Sequence, residues 1–328
     1  MLKFFKRLVL TAIVVLVLCI NAAGLYIGNI IYNEMSVRHS RENIHNTIRL
    51  QKIMATGKKD HQWKDVTIES RFGYPLKGTY IPNPTPTEKT LIFLHGFTEN
   101  RLAGLNYRNM YLSAGFNLLL VDSRDHGESG GDSVTWGVYE KYDLDQWVDW
   151  VRHRFPAGMV GVHGISLGAA TALLHAEQNE ANRRVAFYIA DSAYSDFGDM
   201  LTPHAEERLR LAGNIPFRYV WPYANAIAYI KSRFTFYEAS PIRAVRHATT
   251  PILFIHGEFD KLVPVLMSQE LYNAAQGPRE IYTFPQADHV SSFYKDQVRY
   301  SRVVKNFIHS VESNEKAQRM DQTTGIKL

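Results

Sequence analysis

One cysteine, Cys19, occurs in 328 residues. No disulfide can form within the chain, and no cysteine-based zinc site can be built. This scarcity does not choose a compartment, since exported proteins without disulfides also exist. No N-x-S/T sequon with a permitted middle residue is present, so nothing points to glycosylation. The net charge is +5, yet no run of five like charges exists and no basic helix is interleaved with aromatics. The electrostatic footprint of a nucleic-acid binder is therefore missing. Part of the positive excess is local, in Lys3, Lys6 and Arg7. Among His95, His126, His163 and His256, no pair has i, i+4 spacing with an acid between. A metal site is not expected, and no cofactor is called for.

What the chain does have is apolar residues, 45% with 12% aromatic. That supplies a sizeable core for one large α/β domain or two small ones. Leu8 to Ile31 is a nearly unbroken apolar run of 24 residues, softened by Thr11, Asn21, Tyr26 and Asn29. As a helix it would extend ~36 Å, enough for a ~30 Å bilayer core with some tilt. Two readings compete: an uncleaved signal anchor, or a signal peptide cut near Ala22-Ala23-Gly24. The run continues through Leu25, Ile27, Ile30 and Ile31, which favours the anchor. Leu18 before Cys19 is too large for a lipoprotein signal. Lys3, Lys6 and Arg7 favour a cytoplasmic N-terminus, although Arg38, Arg41 and Arg49 follow and make the bias modest. The expectation is a single-pass protein of the cell membrane with its main domain on the outer side. Residues 1–31 would be cytoplasmic tip and anchor. Residues 32–62, polar with apolar Ile44, Ile48, Leu50 and Ile53, would be a helical stalk, and 313–328 a polar tail.

Residues 63–312 read as one domain. Asp65–Ser70 and Tyr74–Ile81 alternate around a turn at Arg71-Phe72-Gly73 and predict a hairpin. Continuously apolar strands follow at Thr90–Leu94, Phe116–Val121, Met159–His163, Val185–Ala190, Pro251–Ile255 and Glu280–Phe284. Helical segments at Leu105–Ala114, Val138–Phe155 and Ser292–Val311 alternate with them. The pattern predicts a mostly parallel central sheet with helices on both faces. Residues 196–249 break the alternation. They carry Leu201, Leu209, Phe217, Trp221, Tyr229 and Phe236 without a strand, and predict an inserted helical cap.

His163-Gly164-Ile165-Ser166-Leu167-Gly168 reads G-x-S-x-G between an apolar strand and an Ala/Leu-rich helix. A serine there sits on a strained turn with its hydroxyl pushed off the sheet edge. Gly164 and Gly168 lack the Cβ that would collide with neighbouring backbone. A serine hydroxyl is a weak nucleophile. It needs a base to take its proton and an acid to hold that base. Asp260, in Gly257-Glu258-Phe259-Asp260, and His289, in Ala287-Asp288-His289, follow in the order Ser…Asp…His, each just beyond a strand. Glu258 is the rival acid. Asp288 cannot easily curl back onto the ring beside it. His95 and His126 suit loop ordering, and His163 and His256 suit packing at strand ends.

These residues resemble the α/β-hydrolases, in the serine esterase and serine aminopeptidase-like branch, as a bacterial membrane-anchored member with a helical cap. The resemblance runs from about Val66 to Ile308 and includes the His95-Gly96 loop, the Ser166 elbow, the Asp260 loop and the His289 loop. It implies an α/β-hydrolase fold, favours Asp260 over Glu258, and places oxyanion-binding N–H groups on Phe97 and Leu167. The implied activity is cleavage of a small-molecule acyl ester through an acyl-serine. A peptidase acting on amides, or an acyltransferase, could use the same triad, and an aminopeptidase would need cap carboxylates such as Glu206 and Glu207. A non-catalytic, membrane-tethered binding module is the remote alternative, disfavoured because all three triad residues are present.

Overall fold

The computed structural model describes residues 1–36, 44–211 and 215–324. Its centre is one eight-stranded sheet. The strands are β1 (Lys64–Glu69), β2 (Pro75–Ile81), β3 (Thr90–Leu94), β4 (Asn117–Val121), β5 (Val160–Ile165), β6 (Phe187–Asp191), β7 (Ile252–Gly257) and β8 (Arg279–Phe284). Their spatial order is β1-β2-β4-β3-β5-β6-β7-β8. The β1–β2 and β2–β4 pairings are antiparallel, and the rest are parallel.

The inner strands are apolar on both sides because both faces are covered. On β3, Leu91 and Phe93 point to one face, and Ile92 and Leu94 to the other. The first face is closed by α2 (Ile44–Asp60), a 3₁₀ turn at Arg101–Tyr107, α3 (Arg108–Ser113) and the helices α10 (Ser292–Lys295) and α11 (Gln297–Thr324). The second is closed by α4 (Glu140–Arg154), α5 (Leu167–Asn179), α8 (Pro241–Val245) and α9 (Val265–Ala274). The expected α/β-hydrolase architecture is thus observed, with strand ends shifted by a residue or two.

The cap consists of α6 (Phe197–Leu211) and α7 (Phe217–Ser232). Phe197, Phe217, Val220, Phe234 and Phe236 form a third apolar cluster with Trp136 and Tyr194 of the main domain. The insertion is shorter than 196–249, because Val245 and Ala248 rejoin the core of the second face.

Three segments differ from the sequence reading. The apolar helix α1 runs from Leu2 to Ser36 without a break at residue 31. Its last turns lie on the cap, with Ile31, Tyr32 and Met35 buried in the third cluster. Helix α2 is not a free stalk. Leu50, Ile53 and Met54 fall on one helical face and pack into the core, as i, i+3, i+4 spacing allows. The polar tail continues helix α11 as far as Thr324, where Glu315, Lys316 and Ala317 are good helix formers. Arg38, Arg41 and residues 325–328 lie outside the described residues.

One buried ion pair fixes the loop after β4. Asp122 is fully buried and accepts the backbone N–H groups of Arg101 at 2.7 Å and Glu128 at 2.9 Å. The Arg101 guanidinium pairs with the same carboxylate. Burial raises the pKa of Asp122, and Arg101 opposes that rise. Gly127 passes this carboxylate at φ +54, where a Cβ would come within 2.2 Å of it. Asp122→Ala would leave the Arg101 guanidinium with only the exposed Glu128 carboxylate as an ion-pair partner and would orphan the two backbone N–H groups that Asp122 accepts. The expected loss is about 3–5 kcal/mol of unfolding free energy, read from urea titration of the detergent-solubilised chain.

Candidate active site

Ser166 joins β5 to α5 with φ 52° and ψ −116°. A non-glycine residue in this region is strained, and the strain persists only where surrounding structure enforces it. The enforcement is visible. Ser166 donates its N–H to the Asp191 carbonyl on β6 at 2.8 Å, and its own carbonyl accepts from Ala170 at 3.0 Å. A Cβ on Gly164 would lie 2.1 Å from the Gly168 carbonyl oxygen. One on Gly168 would lie 2.3 Å from that of Leu94. The first turn of α5 therefore rests directly on β3 and β5, and only glycine fits at these two positions.

Asp260 and His289 stand beyond the carboxyl ends of β7 and β8, beside the end of β5. In parallel sheets this is the edge where functional groups gather. His289 Nε2 lies 2.9 Å from Ser166 Oγ, and His289 Nδ1 lies 2.7 Å from Asp260 Oδ2. The three residues selected from sequence thus form one hydrogen-bonded chain. Glu258 is elsewhere, accepting from the Thr283 hydroxyl at 2.7 Å. Asp288 accepts the His289 backbone N–H at 2.8 Å and so shapes its own loop. Ser192 Oγ accepts the next N–H, that of Val290, at 3.2 Å.

Asp260 is more heavily bonded than the sequence reading anticipates. Its Oδ1 accepts the N–H groups of Leu262 at 2.9 Å and Val263 at 2.8 Å. Its Oδ2 is shared by His289 and by the fully buried His256, whose Nε2 is 3.1 Å away. His256 Nε2 also faces the Val263 carbonyl at 2.8 Å, and its Nδ1 faces Ser268 Oγ at 2.7 Å. A carbonyl only accepts, so Nε2 carries a proton. Burial alone would raise the pKa of Asp260. The bonds from His256 and His289 outweigh it and hold the carboxyl well below its usual range.

The other histidines order structure. His95 Nε2 accepts the Ser123 N–H at 3.0 Å, and its Nδ1 reaches the Gly96 carbonyl at 2.8 Å. This pins the loop carrying Phe97 against the elbow. A Cβ on Gly96 would stand 3.4 Å from that of Ser166. His126 Nδ1 bonds the Arg124 carbonyl at 2.8 Å. His163 sits between the hydroxyls of Tyr111 and Tyr300, and burial lowers its pKa to about 3. Among the described residues, no cluster of three His, Cys, Asp or Glu side chains has the geometry of a metal site.

Ser166 and His289 open into a pocket of about 860 Å³. Phe97, Trp136, Tyr194, Met200 and Val263 contribute apolar walls, and Glu99 and Glu207 contribute carboxylates. Ile31, Glu34 and Met35 at the end of α1 complete it. Sequence reasoning assigned α1 to anchoring alone, and Trp136 to no role. Nothing in their local pattern marks them, because both reach the pocket through tertiary packing. His256 has a local signal, standing four residues before Asp260, although its place at a strand end by itself suits packing.

The profile of the family described as alpha/beta hydrolase fold matches residues 89–216. The chain is 33% identical to YqkD of Bacillus subtilis over 248 residues, 75% of this chain and 79% of that protein. It is 24% identical to the lysophosphatidylserine lipase ABHD12 of Xenopus tropicalis, over 68% of this chain and 52% of that one. A crystal structure of the Pyrococcus furiosus esterase Pf2001 superposes with a TM-score of 0.61 at 25% identity. It covers 78% of this chain and 93% of the esterase. With the doubly covered sheet, the strained serine elbow and these likenesses together, the chain belongs to the α/β-hydrolase superfamily.

Proposed function

We propose that this protein is a serine hydrolase that cleaves carboxylic esters through an acyl-serine intermediate. The observation that carries the reading is the hydrogen-bonded chain Ser166–His289–Asp260 at the wall of a largely apolar pocket. Ser166 Oγ attacks the acyl carbonyl while His289 Nε2 takes its proton. The tetrahedral oxyanion is received by the backbone N–H groups of Phe97 and Leu167, and α5 begins at Leu167 with its N-terminal N–H groups unpaired within the helix. Collapse expels the alcohol, which takes the proton back from His289. Water then attacks the acyl-serine, giving its proton to the same nitrogen, and the acid leaves as Ser166 is restored. Asp260 keeps the His289 tautomer and offsets the charge of its imidazolium. No cofactor enters this sequence.

The names of the similar esterase and lipase agree with an ester substrate. A second reading has support in the pocket itself. Glu99 and Glu207 line it, and carboxylates suit a substrate amine, as an aminopeptidase requires. Ser166→Ala is expected to abolish fluorophosphonate labelling and to lower ester turnover about 10⁶-fold. Labelling that persists in the variant would remove Ser166 from the mechanism. On the wild type, p-nitrophenyl esters should turn over well ahead of aminoacyl anilides, and the reverse preference would make it a peptidase.

His256 acts in this scheme as a positioning residue. Removing its N–H leaves more negative charge on Asp260, which tightens the hold of His289 on its proton. His256→Phe should lower kcat about 10- to 100-fold, the worth of one hydrogen bond to a charged group. It should also move the acid limb of kcat/KM to higher pH. His256→Gln, which restores a donor near Nε2, should recover most of both. A rate loss with an unmoved limb would reduce His256 to packing.

The α1 helix is long and apolar enough to cross a membrane. With Lys3, Lys6 and Arg7 at its start, the proposed topology puts the hydrolase domain outside the cytoplasm. Protease added to intact cells should then digest the domain, and protection of the domain would reverse the orientation.

A further inference from the structure

Helix α1 divides into two parts that meet different surroundings. From Met1 to Ala23 every residue is exposed, and Gly24 is the first buried one. Leu2 to Ala23 as a helix extends about 33 Å, close to one bilayer core of about 30 Å. From that point on, the helix lies against the cap. A Cβ on Gly24 would meet the Tyr223 ring at 2.5 Å, and one on Gly28 would meet the Ala224 backbone nitrogen at 2.8 Å. Tyr223 Oη donates to Asn21 Oδ1 at 3.1 Å, Lys231 Nζ donates to Asn33 Oδ1 at 3.3 Å, and Tyr32 bonds Ser232. These contacts advance together along both chains, so α7 runs parallel to α1 with its first turns nearest Asn21. Gly28 faces fully buried Ala224 on α7, and Gly24 makes room for the Tyr223 ring. This small-residue contact is the kind that membrane helices use to approach closely.

The cap therefore begins where the bare apolar stretch ends. What it exposes there suits a membrane–water interface. Tyr219 is 60% exposed, with the Arg218 guanidinium stacked 4.8 Å over its ring, and Tyr26 of α1 is 69% exposed. Exposed Tyr and Arg side chains are what headgroup level favours. The pocket is close to this level. Ile31 and Met35, which wall it, lie about 12–18 Å along α1 from Ala23. Glu34 closes the rim by pairing with Arg208 of α6 at 2.9 Å. Both partners are well exposed, so the pair can open at little cost.

We propose that the tip of the cap is seated on the surface of a phospholipid bilayer and that the pocket takes its acyl ester from the adjacent leaflet, past the Glu34–Arg208 rim. This deepens the ester-hydrolase reading, on which its substrate half rests. The substrate class is a membrane-resident amphiphile whose acyl chain leaves the bilayer along the apolar wall of α1 and whose ester reaches Ser166.

The test uses the full chain in nanodiscs of phosphatidylcholine and phosphatidylglycerol, in a Cys19→Ala background. Single cysteines replace Tyr219 or the exposed Lys305 of α11, and each carries an NBD label. Shallow doxyl lipids should quench the Tyr219→Cys label at least twofold more than the Lys305→Cys label. Equal quenching would overturn the seating of the cap. Tyr219→Glu with Tyr26→Glu should slow hydrolysis of bilayer-held p-nitrophenyl palmitate about tenfold and leave water-soluble p-nitrophenyl butyrate within about twofold. A parallel fall on both esters, or on neither, would overturn entry from the leaflet. Quenching is read without turnover. Selective quenching in a chain that hydrolyses no ester would uphold the seated cap and retire the ester chemistry instead.

Discussion

The contact between the first turn of α5 and the backbone of β3 and β5 governs the rest of the site. Gly164 and Gly168 let carbonyl and amide groups meet at a distance that no side chain permits. That closeness forces the sharp reversal at Ser166 and leaves its hydroxyl off the sheet edge with φ 52°. It also brings the His95-Gly96 loop against the elbow. Strain at one residue is thus held by packing that is apolar and extensive, with Leu167, Ala169, Ala170 and Leu173 buried around it. A local conformation costing a few kcal/mol survives because the sheet and helix fix it from both ends.

Electrostatics at the other end of the chain of bonds follows a similar logic. Asp260 is taken out of water, which by itself disfavours its charge. Four N–H groups, from Leu262, Val263, His256 and His289, restore what solvent would have supplied. The carboxylate stays ionised and fixed, so its charge is directed at one face of His289. His256 owes its own orientation to Ser268 and the Val263 carbonyl. The acid therefore depends on a second layer of polar groups that turn no substrate over.

The apolar N-terminal helix contributes to the pocket as well as carrying the long exposed apolar stretch. Its last turns share a cluster with the cap aromatics and form part of the pocket. The end of α1 and the binding pocket are consequently packed against the same cap residues.

The order of strands and helices was legible because buried parallel strands are written as short apolar runs, and each run recurred close to its place. Ser166, Asp260 and His289 were legible because strained turns and strand-end loops have local spellings, such as G-x-S-x-G and G-x-x-D. Residues 32–62 misled, since a half-buried helix and an exposed one differ only in a few apolar positions such as Leu50, Ile53 and Met54. The pocket wall supplied by Ile31 and Met35 and the packing of Trp136 near Phe97 had no local spelling, whereas the second donor to Asp260 is a histidine only four residues before it. The first two arise between segments as much as 202 residues apart, by contacts such as that of α1 with α7. Sequence by itself determined the backbone chemistry of the elbow and which serine, carboxylate and imidazole stand at the strand ends that meet there. Tertiary structure alone decided their environment, because burial, hydrogen-bond partners and pocket shape are properties of packed neighbours and not of neighbours in the chain.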